Sequence, residues 1–299
     1  MGYNRVQIQH YWPLNITKVA LRFENQFYKV IVLRYLLVLL LPLFVFAKPM
    51  SSPLLSVTDE SATAKTPKLQ VGVSGFVVRH FNDEHTSIIA SATVTAFDDA
   101  GSIATISLRP YDGLRQNSLP NGTWTAQVGD ELVMAFGYAR ALLIAPNESI
   151  YHNITSRVKS IDWQHPDGFA TTLSYAGHPT PLVSDFNNFC TATASGLLYV
   201  YTNKTLFTLD CKSMKLLQIT PAPFKEKETK LPFYSRVDEI RAAWWGEGSN
   251  ELESYEPFYL ELIIEHNQYN QDLYTLVKNS DITTKEDLLD EFDFDMGDN

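Results

Sequence analysis

The chain has 299 residues, 45% of them apolar and 12% aromatic, so it can bury a sizeable core in one large or two small globular domains. Its formal charge of −10 is concentrated at one end: Asp281 to Asn299 hold eight acids against Lys285 alone, which leaves about −3 for everything before them. No basic stripe of the kind that neutralises phosphates is present, which excludes a nucleic-acid binder.

Residues 1–47 read as an export signal with a long N-terminal extension. The apolar run from Leu36 to Ala47 follows Lys29 and Arg34 and ends Val45-Phe46-Ala47. About a dozen apolar residues suit a secretory signal better than a membrane span, which needs about 20. An uncleaved anchor is the alternative, and it would be the chain's only contact with a membrane. Residues 48–69, rich in Ser, Thr and Pro, read as a linker. From Val71 the pattern turns to strands in VGVSGFVVRHF, TSIIASATVTAF and IATISLRPY. Turn signals separate them at Asn82-Asp83-Glu84 and Asp98-Asp99-Ala100-Gly101, and Gly129-Asp130 precedes a further strand, ELVMAF. Residues 70–138 are therefore expected to form a small antiparallel barrel or sandwich.

Residues 139–266 read as an α/β subdomain, which makes the fold class α+β. ALLIAP is a strand, Asn147 caps a helix through Arg157, and a second helix starts at Ser184-Asp185 and stops at Ser195-Gly196. GLLYVYTN and LFTLDCKSMKLLQI give two strands around Asn203-Lys204. Trp244-Trp245 and the aromatics of ESYEPFYLELI are expected to pack onto the main body; a carbohydrate platform is the other reading of such a cluster. Residues 267–299 form an acidic, partly disordered tail, in which Thr284 and Asp287 cap a short helix bearing Leu288, Leu289 and Phe292.

Cys190 and Cys211 are the only cysteines. Downstream of an export signal they are expected to pair, the alternative being two buried free thiols, and they are too few to close a zinc site. Walker, His-Glu-x-x-His and Gly-x-Ser-x-Gly motifs are all missing from the sequence, so no cofactor and no reaction are expected. Ser74, between Gly72 and Gly75, belongs to a strand pattern. His80 and His85 flank a turn that reads as solvated rather than metal-binding. His165-Pro166-Asp167 holds a base and a carboxylate, yet Pro166 suits a bend, Asp167 a helix cap, and Trp163 and Phe169 the core.

The order SGFVVRHFNDEHTSIIA, VGDELVM, ARALLIAPN, IDWQHPDGFATTLS, GLLYVYTN, DCKSMKLL, LPFYSRVDEI and ESYEPFYLELI resembles the N-terminal domain of the plasminogen-binding PgbA family of epsilonproteobacteria, from about Ser74 to Ile263. The resemblance implies an exported, noncatalytic protein of the cell surface, outer membrane or periplasm, with host plasminogen as its partner. Capture of this kind offers lysines to kringle pockets, where the ammonium meets paired carboxylates and the aliphatic stem packs on aromatics. Lys225, Lys227 and Lys230 are the candidate ligands. The family's binding members are expected to end in lysine after a long charged region, whereas this sequence ends Asp298-Asn299, which also leaves open an assembly module of the cell envelope or a periplasmic enzyme.

Overall fold

The computed structural model describes residues 50–111, 113, 124–225 and 228–294. The signal reading and the last acidic residues lie outside them. Six strands, β1 (Met50–Val57), β2 (Ser61–Lys65), β3 (Ser74–His80), β4 (Thr86–Asp98), β5 (Ile103–Pro110) and β6 (Glu131–Met134), close into a barrel in the order β1-β2-β5-β4-β3-β6. β6 completes the ring, antiparallel to both β1 and β3. Six strands enclose a narrow interior that only small or slender side chains fill, and Ala62, Ala64, Ala92, Ala104, Val77 and Ile106 occupy it. Where β3 meets β6 the backbones come so close that a Cβ on Gly75 would lie 2.1 Å from the Val133 carbonyl oxygen. Glycine is required there.

One expectation for this part needs correction. The segment read as a linker instead supplies β1 and β2. A strand with one buried face needs an inward residue only at every second position, and Leu54, Ala62 and Ala64 suffice. Ser51, Pro53, Ser61 and Thr63 alternate with them, face outward and give the stretch its polar composition.

The second part holds a five-stranded sheet in the order β11-β10-β9-β7-β8, built from β7 (Arg140–Ile144), β8 (Asp162–Gln164), β9 (Leu197–Thr202), β10 (Thr205–Asp210) and β11 (Leu216–Pro221). β7 runs parallel to β8 and β9, and the other pairs are antiparallel. Helices α1 (Glu148–Arg157), α2 (Pro166–Ala176), α3 (Val183–Thr193), α4 (Tyr255–Glu265), α5 (Gln271–Lys278) and α6 (Lys285–Asp290) cover it. All of β9 and β10 is buried, as strands covered on both faces must be. Leu198, Val200, Phe207 and Leu209 pack on one side with Phe169, Phe186 and Tyr259, while Leu197, Tyr199, Tyr201 and Leu206 pack on the other with Ile150, Tyr151 and Ile154 of α1.

Local chemistry places the helices. The Asn147 side chain accepts from the Ile150 amide at 3.0 Å and starts α1. Pro166 occupies the first turn of α2, where its missing N–H costs nothing, and Gly177 ends that helix at φ 80° with its amide on the Leu173 carbonyl. α5 and α6 bury Leu273, Val277 and Leu288, so order extends well into the stretch read as a tail. The tryptophans also depart from expectation: Trp244 is 94% and Trp245 80% exposed. Their loop is held by its backbone, through the Ala243 amide on the Gly177 carbonyl at 2.8 Å and the Thr180 amide on the Gly248 carbonyl at 3.1 Å, so the indoles are free to face outward. Among the described residues no helix is long and apolar enough to cross a membrane.

One carboxylate joins the barrel to the sheet. Asp210, at the end of β10, is fully buried. Its Oδ2 accepts from the Ser74 amide at 2.9 Å, the Ser74 hydroxyl at 2.7 Å and the Tyr138 hydroxyl at 2.7 Å. Its Oδ1 accepts from the Lys212 and Ser213 amides at 2.9 and 2.8 Å and shapes the turn that follows. Beside it the Ser213 hydroxyl donates to the Gly72 carbonyl at 2.6 Å, and a Cβ on Gly72 would meet that of Lys215 at 2.2 Å.

Candidate functional site

Parallel β7 and β8 point their C-terminal ends at the start of α1 and α2, the edge where open α/β sheets commonly bind ligands. Here the chain itself covers that edge. The Lys230 amide donates to the Pro146 carbonyl and the Tyr234 amide to the Ala145 carbonyl, both at 2.8 Å. Phe233 is buried and stacks on Phe169 with 5.4 Å between ring centres. Further along, the Arg236 amide donates to Asp167 Oδ1 and its Nε to Oδ2, each at 2.7 Å, and the Arg241 amide donates to the Ser174 hydroxyl at 3.2 Å. Residues 230–241 thus form a strap across the ends of β7 and α2.

Asp167 anchors this strap, and His165 lies beside it. His165 caps α2, its Nδ1 accepting from the Asp167 amide at 3.2 Å, so the cap is the histidine and not Asp167 as the sequence suggested. Burial is the main influence on His165 and pushes its pKa below the ordinary value. Burial would raise Asp167, but the amide and guanidinium of Arg236 outweigh it and hold the carboxyl below the usual range. A carboxyl with a depressed folded-state pKa stabilises above its unfolded value and loses that contribution as pH falls through the folded one. His165 works against folding over the interval just below about 6.5, where the unfolded chain takes the proton first. Strap amides of Lys230, Tyr234 and Arg236 are therefore expected to lose a first part of their hydrogen-exchange protection below pH ~6.5, from His165, and a further part below pH ~4, from Asp167, after correction for intrinsic exchange, and Arg236→Ala should lower the Tyr234 protection already at pH 7. Protection that stays flat with pH and is unchanged in the variant would refute the clasp.

The three lysines are placed differently. Lys225 is exposed, and Lys227 lies outside the described residues. Lys230 turns inward: its ammonium donates to the Ser235 and Val237 carbonyls at 2.6 and 2.8 Å and so fastens the strap. Cys190 and Cys211 form a disulfide between α3 and the end of β10. His80 and His85 turn to different partners, His80 to Glu131 at 2.7 Å and Thr86 at 2.9 Å, His85 to Asn82 at 2.9 Å. Among the described residues no three His, Cys, Asp or Glu side chains are grouped to hold a metal. Sequence reasoning gave no sign of the Asp167–Arg236 clasp, whose partners are 69 residues apart.

A six-stranded barrel joined to a helix-covered mixed sheet, with residues 230–241 strapped across the ends of β7 and α2, defines an α+β protein. The family described as Plasminogen-binding protein pgbA N-terminal matches residues 49–263, and the chain belongs to that family. Among its relatives are the plasminogen-binding proteins PgbA of Helicobacter pylori strains ATCC 700392 / 26695 and J99 / ATCC 700824, 28% and 27% identical over 198 residues. That stretch is 65% of this chain and 42% and 43% of theirs, so the chain matches less than half the length of these relatives. The family is named for binding, not for a reaction.

Proposed function

We propose that the chain is an exported, noncatalytic binding protein whose partner is host plasminogen. The observation that carries this reading is family membership across residues 49–263, with relatives named for that ligand. Lys225 and Lys227 are the side chains offered to kringle pockets; Lys230, its ammonium held by two carbonyls, has the structural share. Purified protein is expected to bind immobilised plasminogen saturably and to be displaced by a lysine analogue. The Lys225→Ala/Lys227→Ala variant should bind roughly tenfold more weakly, the loss of about one charge-assisted contact. Lys230→Met should loosen the strap and leave that affinity nearly unchanged.

The alternative, an assembly module of the cell envelope, draws on the exposed aromatics. Trp244, Trp245 and Tyr175 are 94, 80 and 96% exposed, and the bonds of the Arg241 amide to the Ser174 hydroxyl and of the Ala243 amide to the Gly177 carbonyl bracket Tyr175. Contiguous exposed aromatics mark interaction surfaces. Absence of saturable plasminogen binding, together with a specific protein adduct in cells from a photo-reactive residue at position 245, would replace the first reading by this one.

A further inference from the structure

Strands β9 and β10 are joined by two residues alone, Asn203 and Lys204, with Thr202 and Thr205 paired across the turn. Both turn residues take positive φ, 46° and 56°, as the tight hairpin turn that matches the strand twist requires. Asparagine tolerates that region, whereas the second position favours glycine, because any other side chain there is sterically strained. Lysine occupies it. Of the six non-glycine residues with positive φ among the described residues, Lys204 is the only exposed one: Ala135 and Met214 are buried, and Ser102, Ala194 and Asn203 are partly so. Contacts within the fold can offset the strain at those five. The Lys204 ammonium has no hydrogen-bond or ion-pair partner among the described residues, so nothing its side chain does inside the chain offsets the strain there.

The turn that carries it is fixed by its neighbours. Glu256 Oε1 accepts from the Asn203 amide at 2.9 Å, the Thr205 hydroxyl donates to the Asn203 carbonyl at 3.1 Å, and the Ala222 amide donates to the Lys204 carbonyl at 2.8 Å. The last of these bonds also ties Lys204 to the segment that leads to Lys225. Three residues of chain, at most about 11 Å, separate Ala222 from Lys225. Both exposed lysines therefore belong to one end of the sheet.

We propose that Lys204 is the anchor lysine of the plasminogen-binding face, held out by the β9–β10 turn for a partner's lysine pocket, with Lys225 beside it. The inference rests on the plasminogen reading and adds to it a residue on a regular element. An ammonium without a partner meets paired carboxylates with no ion pair to break first, and an aliphatic stem clear of the fold can pack on aromatics. Because the backbone on both sides is already fixed, binding orders the side chain and little else. Glycine would hold the same turn with less strain, so what the lysine adds lies outside the chain, as strained residues at binding sites do.

The test uses binding of the purified chain to immobilised plasminogen, with competition by a lysine analogue, and melting temperature measured on the same samples. Lys204→Gly should bind at least tenfold more weakly, the loss of one charge-assisted contact. It should also melt no lower than the wild type and up to ~3 °C higher, since relief of strain outweighs the added freedom of glycine in the unfolded chain. Lys65→Ala, which removes an exposed lysine at the end of β2 in the barrel, is the control for net charge and should stay within about twofold of the wild type. A wild-type chain that binds while Lys204→Gly binds equally well overturns the inference and leaves the plasminogen reading standing. Equal losses in Lys204→Gly and Lys65→Ala overturn it as well, because they report charge alone, and so does a Lys204→Gly protein that melts well below the wild type, because the fold would then use the side chain. No saturable, analogue-competed binding by the wild type removes both the inference and the reading beneath it.

Discussion

Replacing Asp210 by alanine is expected to lower the unfolding free energy by about 4 kcal/mol, a large fraction of what a domain of ordinary stability possesses. The reason lies in what the substitution strands. Five donors converge on this one carboxylate: the amides of Ser74, Lys212 and Ser213 and the hydroxyls of Ser74 and Tyr138. With Asp210 fully buried, water cannot reach them without opening the joint. Hydrogen bonds to a charged acceptor contribute about 1.5–3 kcal/mol each when measured singly, but groups acting as a unit do not add, so the sum of five is not expected.

Graded variants separate the two jobs of the side chain. Tyr138→Phe removes one donor and should cost about 1–2 kcal/mol. Burial, followed by the charge of Asp210, pushes the Tyr138 phenol far above its ordinary pKa, so it remains a donor throughout the accessible pH range. Asp210→Asn keeps the shape but turns an NH2 toward donors, and should fall between Tyr138→Phe and Asp210→Ala. Urea unfolding followed by circular dichroism reads all three. An Asp210→Ala protein with the wild-type midpoint would show that the joint contributes nothing.

Some of this architecture was legible and some was not, for reasons that differ by element. β3, β4 and β5 alternate strongly and carry turn signals between them, and Asn147 and the β9–β10 turn announced themselves by residue type: Asn203 and Lys204 both take positive φ, 46° and 56°, in a tight hairpin. β1 and β2 escaped because a barrel interior this narrow takes alanine, and Ala62 and Ala64 among Ser and Thr look like linker. α2 shows only at its start, where Asp167 suggests a cap, because Pro166 reads as a bend, although proline is welcome in a first turn. Trp244 and Trp245 misled in the opposite direction, since indole size argues for burial and only the backbone bonds of the loop show that the fold does not use them. Asp210 was beyond sequence reasoning altogether. Its partners Ser74 and Tyr138 are 136 and 72 residues away, and nothing local distinguishes it from any turn aspartate.

The residue after Asp210 carries the second large effect. Cys190 and Cys211 are 1% and 0% exposed, and their bond closes a separation of 21 residues that contains all of β9 and β10. In the chain-entropy account a loop of that size restricts the unfolded ensemble by about 3 kcal/mol. Cys190→Ala/Cys211→Ala is therefore expected to melt roughly 6–12 °C lower, the shift that ~3 kcal/mol gives in a folded part of 150–250 residues. Alanine is the informative replacement, because serine would bury two hydroxyls in a cluster made of Leu198, Phe186 and Phe207 and add a separate penalty. Burial also sets how the bond breaks. A thiolate must reach a sulfur that has no exposed surface, so reduction by dithiothreitol should be slow in native buffer and fast once urea passes the unfolding midpoint, as followed by maleimide labelling. Rapid labelling without denaturant, or a double variant that melts with the wild type, would mean that α3 and β10 are held together by packing alone.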